Sequence, residues 1–166
     1  MRTFVLYLNP IPKGRPRFNT KTKRVYTPER TKTFQNEVRK LVCLNLGQYF
    51  DYPMFEKGVP VCVSLDFVYQ RTLDLSKKRY KDILIWREIG DDIDNLVKSV
   101  LDALNDVLWA DDRQVVEIRA RKLWAKKGEE PRICLVVKTA GDPPQATCDF
   151  WNADFLDSLA GRKSGE

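Results

Sequence analysis

Five aspartates stand at the two ends of the segment GDDIDNLVKSVLDALNDVLWADDRQV, residues 90–115. They are Asp91, Asp92 and Asp94 at its start, and Asp111 and Asp112 near its end. Converging carboxylates favour a hard divalent cation such as Mg²⁺, which takes oxygen ligands and keeps several waters. Lys98, one helical turn beyond Asp94, could orient an attacking water or a phosphate. These residue types are therefore suited to metal-assisted hydrolysis of a phosphodiester bond.

Each of these acids also has a purely structural interpretation. Acids at a helix start cap the helix and favour its dipole, and an Asp four residues before a Lys is a common surface ion pair. Two aspartates after a helix are a common turn. The combination favours a site, because Asp92 and Asp94 project from one short turn while Asp111 and Asp112 open the next strand, which can return alongside.

The segment between the acids has the periodicity of an amphipathic helix, predicted over residues 94–108. At about 100° per residue, its apolar side chains fall on one side, as in a helix that covers a core. These side chains are Leu96, Val97, Val100, Leu101, Ala103, Leu104, Val107 and Leu108. The adjoining strip is polar and consists of Asp94, Lys98, Asp102 and Asn105.

Strands and helices alternate along the rest of the chain. A helix is predicted at 28–46, with Thr27 as N-cap and Gly47 as its stop, and the alternating apolar residues of 59–69 predict a strand. The remaining predictions are a strand at 3–9, a basic loop at 10–26, a basic and then mixed excursion at 71–90, and strands at 114–126 and 132–138. The order β-α-β-α-β-β predicts an α+β (α/β-like) fold with a mixed sheet.

The length of 166 residues and the 43% hydrophobic content suit one domain with an ordinary core. We expect this domain at 1–138 and a peripheral or flexible tail at 139–166. The chain has no run of 18 apolar residues, and its start lacks a signal peptide's apolar region, so we expect a cytoplasmic protein without a membrane partner. The four cysteines form no CxxC pair and are expected to be reduced, buried thiols.

Histidine is absent, which excludes Ser/His/Asp triads and histidine-based metal sites. The net charge is +6, and residues 11–40 hold ten Lys or Arg against two Glu. Such a block is typical of a surface that neutralises nucleic-acid phosphates, and equally of a solvated face that maintains solubility. Interleaved Phe18 and Tyr26 favour the first, since Arg forks and aromatic faces suit a loop that tracks unpaired or distorted strands. The candidate DNA-binding residues are Lys13, Arg15, Arg17, Lys21, Lys23 and Arg24.

Several motifs resemble the RusA-type Holliday junction resolvases of bacteria and their prophages. The central motifs are Asp92-Ile93-Asp94-Asn95-Leu96 followed by Lys98, then Leu101-Asp102-Ala103-Leu104, then WADDRQV from Trp109 to Val115. Two further blocks that match are GRPRF, Gly14 to Phe18, and VYTP, Val25 to Pro28. The resemblance covers residues 3–138 and implies the mixed α+β fold of that family.

The resemblance implies a homodimer that resolves four-way DNA junctions by paired symmetric cuts in recombination and repair, with Mg²⁺ as metal and Mn²⁺ as an alternative. A two-fold junction needs two opposed cuts, which a two-fold dimer can make. The implied metal-binding and catalytic acids are Asp92, Asp94 and Asp112, with Lys98 as catalytic lysine and Asp111 in a supporting role at most. Asp91 departs from the family, because some relatives carry basic residues there.

Two other functions remain open on the residues alone. One is a metal-dependent nuclease that acts on other branched DNA or on flaps. The other is a non-catalytic DNA-binding protein, which would use the basic block but not the Asp/Lys constellation.

Overall fold

The alternating apolar side chains of residues 61–69 place this strand at the centre of a five-stranded mixed sheet. The computed structural model describes residues 1–20, 23–47 and 51–142. Its strands are β1 (Arg2–Leu6), β2 (Arg17–Asn19), β3 (Arg24–Tyr26), β4 (Val61–Tyr69), β5 (Ile85–Trp86), β6 (Val115–Trp124) and β7 (Arg132–Thr139). Its helices are α1 (Glu29–Leu46) and α2 (Ile93–Leu104). The sheet order is β1-β7-β4-β6-β5, and β2 and β3 form a separate hairpin, so the predicted α+β fold is confirmed.

The connection that positions the aspartates is a parallel β-α-β crossover. β4 pairs with β6 in parallel and with β7 antiparallel, and α2 lies between β4 and β6 in the chain. A helix in such a crossover must run back along the sheet before the next parallel strand can begin. The start of α2 therefore lies beyond the ends of β4 and β6, and the end of α2 returns the chain to the start of β6.

One face of the sheet and both helices share a single apolar core. The strand residues that alternate toward this core are fully buried, because period-2 alternation places them on one face. They pack with apolar residues of α1 and α2 in one cluster, which includes Phe4, Phe34, Val38, Leu65, Phe67, Leu96, Val100, Leu104, Trp109 and Leu135. This packing fixes the rotation of α2, so that its polar strip points away from the sheet.

Some predicted boundaries were wrong. α2 ends at Leu104 rather than at 108, because Asn105 leaves the helical conformation (ψ 139°) and the chain turns at Asp106 (φ +62°). The N-cap of α1 is Pro28 rather than Thr27, whereas Gly47 closes the helix as predicted, with φ +93°.

Two segments for which no strand was predicted contain strands. The basic loop predicted at 10–26 includes the β2–β3 hairpin, and the excursion predicted at 71–90 includes β5. The predicted tail at 139–166 lies outside the described residues from 143 onward. Neither described helix is long and apolar enough to cross a membrane.

The described cysteines are unpaired. Cys62 is buried, Cys43 and Cys134 are partly buried, and Cys148 lies outside the described residues. Burial raises the pKa of the Cys62 thiol, which also donates to Glu117 (3.3 Å). The three described cysteines thus form no disulfide, but the prediction of buried thiols is correct only for Cys62 and wrong for Cys43 and Cys134.

Candidate active site

The start of α2 carries two carboxylates that no other described side chain engages. Asp92 is the N-cap residue, but its side chain makes no capping hydrogen bond, and Asp94 lies in the first turn. Both are exposed, as is Lys98 one turn further along. The sequence suggested an ion pair between Asp94 and Lys98, yet the ion pairs of the described residues do not include it. All three side chains are thus available to a ligand.

The remaining polar strip of α2 has a structural role. The Asp102 carboxylate forms an ion pair with the Lys13 ammonium and lies 3.5 Å from the Gln35 amide nitrogen of α1. The side-chain oxygen of Asn105 accepts from the Trp109 indole N–H at 2.9 Å. Only the first turn and a half of the strip is therefore left for chemistry.

Asp91 is turned inward, although it neighbours Asp92 in sequence. The Tyr69 hydroxyl donates to its carboxylate at 3.0 Å, and Nη1 of Arg87 lies 4.0 Å from the same oxygen. Burial, followed by the negative charge of Asp91, raises the pKa of Tyr69 far above its ordinary value, so the hydroxyl remains a donor. The negative charge of Asp91, which departs from the family pattern, is therefore offset inside the protein by Tyr69 and Arg87.

The two aspartates of WADDRQV have different surroundings. The Asp111 carboxylate accepts from the Arg113 N–H at 2.9 Å, which caps a single 3₁₀ turn at Asp112–Gln114 and lowers the pKa of Asp111. Gln114 completes this capping box and also donates to the carbonyls of Glu56 (2.7 Å) and Val59 (3.0 Å). Asp111 and Gln114 therefore hold the entry into β6. Asp111 remains exposed, and Asp112 beside it is partly buried.

Asp112 lies at the opposite end of the crossover from Asp92 and Asp94. It precedes the first residues of β6, whereas the Asp91 carbonyl accepts from Lys122, near the end of β6, at 2.6 Å. The intervening strand spans about 23 Å at about 3.3 Å per residue. One chain does not bring the three acids together, and its described residues contain no group of three or more acids or cysteines that could hold a metal ion. Their shared metal-binding role stays a prediction.

The pair at the start of α2 still has the donor chemistry for Mg²⁺. Asp92 and Asp94 supply exposed carboxylate oxygens that no described side chain engages. Mg²⁺ commonly binds proteins through one or two carboxylates, with waters and substrate phosphates completing its six positions. The donor set thus fits this metal.

The basic segment is attached to this same turn of α2. The Lys13 N–H donates to the Asn95 carbonyl at 2.9 Å, and the Gly14 N–H donates to the Thr31 hydroxyl at 3.1 Å. A Cβ at Gly14 would lie 3.0 Å from Cγ of Pro28, so glycine permits the close crossing over the start of α1. These contacts hold the beginning of the basic segment against the first turn of α2 and the start of α1.

The hairpin displays cations and apolar side chains together. Arg17, Lys23 and Arg24 of the hairpin are exposed, as is Arg15 just before it, and Phe18 pairs across the hairpin with an exposed valine, Val25. Lys21 lies outside the described residues. Lys13 differs from the others, because its ammonium is already paired with Asp102. The binding of DNA by these residues is not tested by their positions alone and stays a prediction.

Two features of this region were missed from the sequence. Arg30 lines a cleft of about 350 Å³ together with Arg15 and Arg17, at the start of α1. Arg87 packs beside Tyr69 at the entry to α2. Arg30 was counted in the charge of the basic block but was not among the candidate DNA-binding residues. No spacing rule predicts that Arg87 contacts the ring of Tyr69, which lies at the end of β4.

A mixed α+β domain with exposed carboxylates beside a basic hairpin is typical of a metal-dependent nuclease. Residues 8–138 match the family described as Endodeoxyribonuclease RusA, and the chain belongs to this family. The chain is also 29% identical over 140 residues to "Uncharacterized protein YqaN" of Bacillus subtilis (strain 168), which covers 81% of this chain and 94% of that protein. The resemblance seen in the sequence motifs is thereby confirmed.

Proposed function

We propose that this protein is a Mg²⁺-dependent endonuclease that resolves four-way DNA junctions by paired symmetric cuts. Its family consists of endodeoxyribonucleases and implies a branched-DNA substrate. The observation that carries the proposal is the unengaged set of Asp92, Asp94 and Lys98 at the start of α2, beside an attached basic segment. Asp91, Asp102 and Asp111, in contrast, are paired with neighbouring groups of the protein.

The residues divide the work of phosphodiester hydrolysis. Asp92 and Asp94 would hold the metal, for which Mn²⁺ is an alternative. When bound, the metal would supply polarisation of the scissile phosphate and activation of a water. Lys98, one turn along the same helix face, orients the phosphate and offsets the negative charge that develops on it. The hairpin cations hold the flanking DNA backbone, since phosphate contacts position a nucleic acid on a protein.

The position of Asp112 suggests a specific role for the proposed homodimer, in which the second chain would complete the active site. In one chain this acid lies a strand's length from Asp92 and Asp94, so a complete three-acid site requires another chain. A two-fold axis could bring Asp112 of each copy to the start of α2 of the other, and it would do so twice. Two composite sites would then face the two strands that a symmetric resolution must cut.

Cleavage of synthetic DNAs separates this function from its alternatives. With Mg²⁺, the protein should cut a four-way junction at symmetric positions and leave ends that can be ligated, with linear duplex and flap DNA as controls. Preferential flap cutting would favour the nuclease for other branched DNA. Binding of all three DNAs without any cleavage would favour the non-catalytic protein.

Neutralising the hairpin should weaken the salt dependence of junction binding. If Arg15, Arg17, Lys23 and Arg24 contact phosphates, each change to Gln should reduce the log–log slope of affinity against salt by about one. Arg2→Gln, an exposed arginine on the far edge strand, is the matched control and should leave the slope unchanged. Equal slopes for the hairpin variants and the wild type would make the hairpin a solubility feature.

Replacing Lys98 should affect cleavage without removing the metal. We expect Lys98→Ala to lower cleavage on the order of 10²-fold or more, as for the loss of one donor to a developing charge. Mn²⁺ binding, measured by calorimetry, should stay close to the wild-type value, and junction binding should be unchanged or weaker. Normal cleavage by this variant would assign Lys98 to the solvated surface.

A further inference from the structure

Arg87 occupies an aromatic corner immediately before the candidate site. Its guanidinium carbon lies 3.8 Å from the centre of the Tyr69 ring and 5.0 Å from that of Trp124. These two rings meet edge to face, with centroids 6.4 Å apart, at the ends of β4 and β6. The side chain is only 12% exposed, so the cation lies between the sheet and the turn that leads into α2.

This burial is incompletely compensated. Nε and Nη1 of Arg87 are buried without a hydrogen-bond partner, and the nearest carboxylate, that of Asp91, is 4.0 Å from Nη1. Burying a charge without hydrogen bonds lowers the stability of the folded protein, whereas burying an apolar residue of similar size does not. Stacking on Tyr69 offsets part of this cost. Stability alone therefore does not account for an arginine at this position.

The turn after Arg87 packs closely against the Arg87 guanidinium. Gly90 has φ +82°, and a Cβ there would lie 2.3 Å from Nη2 of Arg87. Only glycine allows this approach, both because of its left-handed backbone and because any side chain would displace the cation. The backbone of Gly90 is thus held directly against Arg87.

The same turn is anchored on its other side by β6. The Arg87 N–H donates to the Lys122 carbonyl at 3.0 Å, and the Lys122 ammonium donates to the Asp91 carbonyl at 2.6 Å. The Tyr69 hydroxyl fixes the Asp91 carboxylate. The next residue is Asp92, from which α2 begins, so few backbone torsions separate this anchored turn from the acidic pair.

We propose that Arg87 is a positioning residue, which through Gly90 and Asp91 sets the direction from which Asp92 and Asp94 present their carboxylates. The inference rests on the proposed metal-binding function of that pair. It also assigns Asp91 to the internal anchor and not to the metal. Residues behind a first set of ligands commonly change metal affinity by about 10-fold to 100-fold when they are replaced.

Two variants test this role without touching the acids. Arg87→Lys keeps the charge but loses the planar stack, and Gly90→Ala displaces the guanidinium while all charges remain. For both we expect Mn²⁺ affinity of the DNA-free protein, measured by calorimetry, to fall about 10-fold. In EDTA, amide hydrogen exchange at residues 90–96 should become faster, with exchange in β4 and β7 unchanged. Asp91→Asn removes the charge that faces Arg87 but keeps an oxygen for the Tyr69 hydroxyl, so its Mn²⁺ affinity should fall by no more than that of these two variants.

The outcomes separate this inference from the proposed function. Wild-type Mn²⁺ affinity in folded Arg87→Lys and Gly90→Ala, or unchanged exchange at 90–96, overturns the positioning role. A fall in the Mn²⁺ affinity of Asp91→Asn far beyond that of Arg87→Lys and Gly90→Ala overturns the assignment of Asp91 to the anchor. If the wild type binds no Mn²⁺, the proposed metal site fails, and the exchange rates in EDTA still decide whether Arg87 holds the turn.

Discussion

Asp94→Asn is expected to lower Mg²⁺-dependent cleavage of a four-way junction on the order of 10³-fold or more, with folding unchanged. Asn has nearly the shape of Asp but lacks the charge that holds the metal. In EDTA the variant should bind junctions at least as tightly as the wild type, because a carboxylate that repels phosphate is gone. Asp92→Asn should behave in the same way. Cleavage rate, EDTA binding and melting temperature are measured on the same preparations.

Asp106→Asn is the matched control for this prediction. Asp106 is exposed at the other end of α2 in a left-handed conformation (φ +62°), which Asn adopts readily. The control removes the same charge and should cleave normally. If Asp94 were only a helix-start or surface residue, its replacement would change stability by about 1 kcal/mol or less and leave turnover intact. Near-normal cleavage by Asp94→Asn would therefore contradict the proposed mechanism.

Mixing two inactive variants should restore cleavage if the acids are shared between chains. Asp94→Asn and Asp112→Asn are each expected to be inactive, since each damages both sites of its homodimer. In a mixed dimer, both substitutions fall on one composite site, and the other site contains only native acids. The mixture should accumulate singly nicked junctions, whereas the wild type makes paired cuts.

A second mixture of variants is the control for cleavage that returns for a reason other than a shared site. Asp92→Asn with Asp94→Asn places both changes at the start of α2, so every site of the mixed dimer stays damaged. No cleavage should return. Differently tagged chains that co-purify establish that mixed dimers form. Mixed dimers of Asp94→Asn and Asp112→Asn that remain inactive would contradict the shared site, and a monomer in solution would contradict it directly.

Much of the fold was predictable because its signals are local. The apolar stripe of 28–46 and the alternation of 59–69 each specify an element from neighbouring residues, and both occur as α1 and β4. The hairpin was missed because its Phe18 and Val25 pair on an exposed surface, where no buried face imposes a clear alternation. The early end of α2 depends on tertiary contacts around Trp109, which is fully buried beyond it.

The candidate site likewise has features that the sequence determines and features that depend on the tertiary structure. By itself the sequence determined the family, the acidic pair at the start of a helix and the lysine one turn later, because i to i+4 geometry follows from the chain. Only the tertiary structure decided which acids are available. It turned Asp91 inward onto Tyr69 and placed Asp112 at the far end of β6, because a parallel crossover reverses direction between its strands. Arg87 acquires its place only when two strands bring their aromatic ends together around it.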